Sequence, residues 1–203
     1  MPGLAYSKEE IQQRLEALPD KMRVAFGLSC CERMFPNYRA CKTKINWGDE
    51  RPLRMAMDTL WKWLDGENLS QSHIRKLMNE CEAVTPNSED FLEVLTTVAQ
   101  DACFAICCVL EYFLLQKVER IAQASSYAND TLIFWVQELQ DPNPGSFALV
   151  PNNPERQERI RLHPLMQREL ARQDADLKLL ASHPDMGLLK AQWRAPAKSN
   201  IDL

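Results

Sequence analysis

Apolar residues recur along most of this chain three and four positions apart, the spacing of one helix face, and polar caps punctuate them. Ser7 followed by Glu10 is a capping box ahead of Ile11, Leu15 and Leu18, which predicts an amphipathic helix ending near Pro19. Asp20 can cap a second helix, which carries Met22 and the uncharged run Val24 to Cys31 and is expected to stop before Pro36. Asp49 can cap a third, with Pro52 in its first turn, an inward stripe of Leu53, Met57, Leu60, Trp61 and Leu64, and Gly66 to close it. Ser70 opens a fourth with Ile74, Leu77, Met78 and Cys81 on one face. Ser88, with Glu89 and Asp90 behind it, is expected to open a fifth carrying Phe91, Leu95, Val98, Ala102, Ala105 and Val109.

No Gly or Pro occurs between Pro86 and Pro142. One helix over that interval would be about 80 Å long, against a radius of gyration of about 17 Å for a globule of this size. The chain must therefore turn back, either at Gln116 and Lys117 or within "SSYAND" at 125 to 130. The segment 140–154 is rich in proline and predicts an irregular loop. Asn153 and Pro154 restart a helix, His163 and Pro164 interrupt or restart it, Leu165, Met166, Leu170, Leu177 and Leu180 give the final long helix its face, and a short helix near Met186 to Trp193 precedes the tail. Without strand patterns or repeats, the expected fold is all-α: one helical bundle of about seven to nine helices over residues 1–203.

With 45% hydrophobic residues in 203, the composition supplies one sizeable core. The start, "MPGLAYSKEE", lacks the build of a signal peptide, and the uncharged run Ala102 to Leu110 is short of the roughly 18 residues of a membrane span. Seven cysteines, none in a CxxC pair and most among apolar neighbours, read as buried thiols of a reduced compartment, so the expected location is cytoplasmic. The balance of 24 basic and 28 acidic residues gives a net charge of −4, which argues against nucleic acid as a partner. The mild basic excess near the C-terminus interleaves Glu and Arg as a solvated helix face does.

Chemistry is sparse. Cys103 and Cys107 are one turn apart and Cys30, Cys31 and Cys41 lie near another predicted helix end, but CxxxC in "ACFAICCVL" is the spacing of core packing, and no histidine is placed to join them. Cys30 and Cys31 are expected at a helix C-terminus, where the dipole opposes a thiolate. No metal, disulfide or cofactor is expected. Hydrolase and phosphate-loop signatures are absent, and Trp47, Trp61 and Trp63 read as core and rim residues. Glu32, Arg33 and Asp101 border helix segments that are apolar all round and so need partners. The expectation is an ion pair of Arg33 with Asp101 between two antiparallel central helices, so that Asp101→Asn would destabilise strongly. Asn37 would suit the turn after Pro36, and Tyr38 would return its hydroxyl to a helix-end carbonyl or to Glu32.

"CERMFPNY" at 31 to 38, "DAC" at 101 to 103 and "SNI" at 199 to 201 resemble the signature segments of the YjaG-like bacterial proteins, a family of unknown function. The resemblance implies an all-helical cytosolic protein of bacterial origin. It marks Glu32, Arg33, Pro36, Asn37, Tyr38, Asp101, Ser199 and Asn200 as motif positions without assigning a catalytic role to any of them. The leading expectation is a non-catalytic module that binds itself or a protein partner, with Trp63, off the inward stripe of its helix, marking a homodimer surface. The alternative is a small-ligand site or enzyme around Glu32, Arg33, Tyr38 and Asp101.

Overall fold

The capping box at Ser7 forms as its spacing predicts: Ser7 Oγ accepts from the Glu10 N–H, and the Glu10 carboxylate accepts from the Ser7 N–H. It starts the first of nine α-helices among the residues that the computed structural model describes, which are 7–140, 154–194, 196 and 198–203. They are α1 (Lys8–Glu16), α2 (Asp20–Ile45), α3 (Arg51–Leu64), α4 (Gln71–Ala83), α5 (Val94–Leu115), α6 (Val118–Gln140), α7 (Pro154–Leu162), α8 (Pro164–Ala181) and α9 (Met186–Trp193). No strand occurs among the described residues, and the architecture is an all-α bundle. Apart from its ends in α6 and α7, the Pro-rich loop expected at 140–154 lies outside the described residues.

α2 and α5 form the most extensive contact, with α6 against both; α4 covers α5, and α3 and α8 flank α2. Gly27 allows the close approach of these central helices. A Cβ there would stand 2.7 Å from Val109 Cγ2 on α5 and 3.5 Å from Ile121 Cδ1 on α6. Gly27→Ala gains about 1 kcal/mol of helix propensity but forces a methyl against a stiff β-branched side chain, an overpacking cost of about 1–3 kcal/mol. The expected outcome is a lower thermal midpoint, and a Gly27→Ala protein melting above the parent would show that the crossing yields.

α5 has the length and composition to cross a membrane, because it tolerates Asp101 and Glu111 within an otherwise apolar stretch, yet 61% of its most apolar window is buried in the bundle. Its apolarity is matched by α2, α4 and α6. A second apolar cluster, Val98, Leu132, Val136, Ile160, Met166, Leu170 and Ile201, ties α5 to α6, α7, α8 and the C-terminal residues.

Two boundaries differ from expectation. α2 does not stop before Pro36 but continues to Ile45. An interior proline costs about 3 kcal/mol, but the turns beyond it bury Asn37, Tyr38 and Cys41. Burying Tyr38 and Cys41 is worth a similar amount, at about 25 cal/mol per Å². α5 does not open at Ser88 but at Val94, because Asn87 intercepts the chain: its side chain accepts from the Glu89 N–H and its carbonyl from the N–H groups of Asp90 and Phe91. Leu92 is left 96% exposed.

The caps expected at Asp20 and Asp49 do not form, since Pro19 and Glu50 are the N-cap residues and neither makes a side-chain cap hydrogen bond, but most of the other punctuation is where the sequence places it. Gln116, at φ 54°, ends α5 and sends α6 back beside it, so "SSYAND" lies inside α6. Gly66, at φ 107°, follows α3, and Ser70 caps α4. Asp20 is the first residue of α2, and Asp49 lies just ahead of Glu50, the N-cap of α3, accepting from the Arg51 N–H.

Candidate functional site

α8 lays Glu169, Gln173 and Asp176 along the face that meets α2, and Arg33 reaches across to all but the middle one. Arg33 Nη2 donates to Glu169 Oε1 at 2.8 Å, Nε to Oε2 at 3.1 Å, and Nη1 to Asp176 Oδ2 at 2.8 Å. Ser29 Oγ donates to the same Asp176 oxygen at 2.9 Å, and Gln173 Nε2 donates to Glu169 Oε1 and to Asn129 of α6. Burial works against the Arg33 charge, but Glu169 and Asp176 together outweigh it and hold the guanidinium protonated. Asp176 has the weaker share of this cation, and its burial raises its carboxyl above the usual range even beside Arg33.

Glu32, the next residue, faces α3 and is fully buried. Arg54 grips it with both terminal nitrogens, Nη2 to Oε1 at 2.7 Å and Nη1 to Oε2 at 2.8 Å, and Trp61 Nε1 donates to Oε1 at 2.8 Å. The Arg54 guanidinium lies 5.6 Å from the centre of the Phe35 ring and also pairs with Asp58, which Arg194, the C-cap of α9, pairs in turn. Adjacent residues on one helix thus fasten opposite neighbours: Arg33 holds α8 and Glu32 holds α3.

Pro36 carries no N–H for the carbonyl of Glu32 four residues back, and the C-terminal residues dock on this weakened turn. The Asn200 N–H donates to the Arg33 carbonyl at 3.0 Å, Asn37 Nδ2 donates to Asn200 Oδ1 at 2.9 Å, and Asn200 Nδ2 donates to the Ala128 carbonyl of α6. Ser199 folds the last residues into a turn, its Oγ accepting from the N–H groups of Ile201 and Leu203. Tyr38 donates to the Val84 carbonyl at the end of α4 at 2.7 Å and accepts from the Asp49 N–H. The helix-end carbonyl is thus Tyr38's partner rather than Glu32, and it belongs to α4. Asn37 occupies no turn; it lies inside α2.

Asp101 does not meet Arg33. Its carboxylate Oδ2 accepts from Thr131 Oγ1 of α6 at 2.9 Å, while Arg33 turns to α8. The order of the apolar runs along the chain does not select the partner, because α8 packs on α2 and supplies both carboxylates. Burial raises the Asp101 carboxyl to about 7, opposed by the Thr131 hydrogen bond and assisted by the nearby Asp130 charge. Cys30 and Cys31 lie in the middle of α2 rather than at the C-terminal end expected from the sequence. Burial, not a helix dipole, pushes the Cys30 thiol up to about 12 and raises Cys31 as well. All seven cysteines are free thiols, and the described residues contain no group of three His, Cys, Asp or Glu side chains that could hold a metal ion.

Glu169, Gln173, Asp176 and Arg54 were not singled out from the sequence. The first three had a signal: polar residues at i, i+4 and i+7, in register with the apolar Met166, Leu170 and Leu177. Arg54 had none, since an arginine between Leu53 and Met55 reads as a solvated position.

A family model described as "Protein of unknown function (DUF416)" matches residues 10–203. The chain is 26% identical over 194 residues to "Uncharacterized protein YjaG" of Escherichia coli K12, a match covering 95% of each chain. It is also 31% identical over 96 residues to the protein of that name in Salmonella typhimurium, covering 47% of this chain and 48% of that one. The crystal structure of a DUF416 family protein from Shewanella baltica superposes with a TM-score of 0.81 at 24% identity, covering 95% of this chain and 97% of that one, and shows the same fold.

Proposed function

The chain belongs to the DUF416 family of proteins of unknown function, and from that premise we propose that it is a non-catalytic cytoplasmic protein of bacterial origin that works by self-association. The observation that carries this reading is the use of the motif side chains. Arg33 is consumed by Glu169 and Asp176, Glu32 by Arg54 and Trp61, Tyr38 by the Val84 carbonyl and Asn37 by Asn200. A reaction site keeps polar groups aimed at substrate; these are aimed at neighbouring helices. Buried free thiols and bacterial relatives support the compartment and the origin.

Trp63 supports self-association less than its sequence position suggests, because it is partly buried and packs edge-on against Phe113 at 4.8 Å. Support comes instead from exposed apolar side chains, among them Leu188 at 73% and Met55 at 52%. Sedimentation equilibrium of the full chain is expected to give an average mass that rises from monomer towards dimer with concentration. A monomer mass unchanged up to about 100 µM, a weak-dimer range, would refute self-association.

A further inference from the structure

We infer that the face shared by α2, α3 and α9 is a binding site for a small molecule bearing two oxyanionic groups, phosphate or carboxylate. Two adjoining clefts mark it. The first, of about 570 Å³, lies between α2 and α3 and is lined by the cations Arg39, Arg51, Arg54 and Lys62 against the carboxylates Glu50 and Asp58. The second, of about 440 Å³, lies between α3 and α9 and is lined by Arg54, Lys190 and Arg194, with Lys190 paired to Asp65 and Arg194 to Asp58 behind the lining. Arg54 belongs to both, and the Asp58–Arg194 ion pair bridges them. Both volumes fall in the range of about 300–1,000 Å³ typical of small-molecule sites.

Charge selects the ligand class. Six cations line the two clefts and all but Lys62 are ion-paired, Arg39 with Glu50, Arg51 with Asp49, Arg54 with Glu32 and Asp58, Lys190 with Asp65 and Arg194 with Asp58, so the clefts keep a small positive excess on a chain whose net charge is −4. The rest of the surface is therefore more acidic than the whole, which favours a compact anion over an extended polyanion tracking across it. Two of these cations have donors to spare. Lys62 is exposed and has no partner among the described residues, and Arg39 meets Glu50 through Nε with its side chain 63% exposed.

Arg54 is the organising residue. Glu32 fixes its fork from below, Phe35 lies beneath its plane, and its Nε has no acceptor among the described residues. A guanidinium held this way loses little rotamer entropy when an anion arrives. The motif carboxylate Glu32 thus positions a cation that lies outside the segments "CERMFPNY", "DAC" and "SNI".

The test uses the full chain with sodium tripolyphosphate as the phosphate probe and citrate as the carboxylate probe, titrated by calorimetry at low ionic strength. Saturable binding of either supports the site, and the tighter probe identifies the oxyanion. Lys62→Glu and Lys190→Gln each alter one cleft at the surface; the double variant is expected to keep its unliganded thermal midpoint and weaken binding by about tenfold or more. Lys76→Glu, on α4 outside both clefts, is expected to leave affinity unchanged. No saturable binding of either probe at about millimolar concentration, the weak end of specific recognition, overturns the inference. So does binding that Lys76→Glu weakens as much as Lys62→Glu, which would be diffuse attraction, or binding of poly-glutamate without either small probe, which would point to an acidic protein partner.

Discussion

Arg33→Met is expected to lower the thermal midpoint by about 6–20 °C, the counterpart of about 3–5 kcal/mol in a domain of this size. The loss comes less from the attraction removed than from what is stranded. Glu169 and Asp176 would remain buried against α2 with no cation, and the Asp176 carboxyl is already pushed up by its burial while Arg33 is present. The two would then escape by taking up protons, so the variant's stability should rise as pH falls, where the parent's retained ion pairs give it less to gain. Combining Arg33→Met with Glu169→Met and Asp176→Leu removes the stranded charges along with the guanidinium, and most of the midpoint should return, because apolar side chains suit a site closed between α2 and α8. A single variant that melts with the parent, or a triple variant no better than the single, would show that the cluster does not hold α8 in place.

Asp101→Asn is expected to do the opposite at alkaline pH and raise the midpoint. The Asp101 carboxyl is held near 7 in the folded protein, mainly by burial, against an ordinary value of 3.8. A raised folded-state pKa means that the native protein keeps its proton where the unfolded chain has lost it. This contribution is fully present below about pH 4 and is lost as pH rises through about 7, at most about 4 kcal/mol over the window. Asparagine keeps an oxygen to accept from Thr131 Oγ1 without the charge. Melting curves at pH 5 and pH 8 should show a parent that weakens across this interval and a variant whose midpoint changes less, ending about 5–10 °C higher at pH 8. Equal pH slopes in the two proteins would contradict the buried-carboxyl account, and a large loss at pH 8 would revive an ionic role for Asp101.

Local chemistry alone settled the elements: the Ser7 capping box, the Ser70 cap, the stripe on α3, Gly66 behind it and the restarts at Pro154 and Pro164 are short-range devices whose partners lie within a turn or two. It also settled that Glu32, Arg33 and Asp101 would be buried, since the apolar runs around them leave no face for water. What required the tertiary structure was the choice of partner. Arg33 could have met any carboxylate of the right reach, and helix packing brought Glu169 and Asp176 from more than a hundred residues away while leaving Asp101 to Thr131. The same holds for Pro36, where the local penalty against helix is real but is offset by the burial of Tyr38 and Cys41, and where Asn200 arrives from the far end of the chain to bond the neighbouring carbonyl. Periodicity records which face of a helix turns inward because that is a property of the helix itself. Which side chains meet across the interior depends on how the helices cross, and that is written in no single stretch of the sequence.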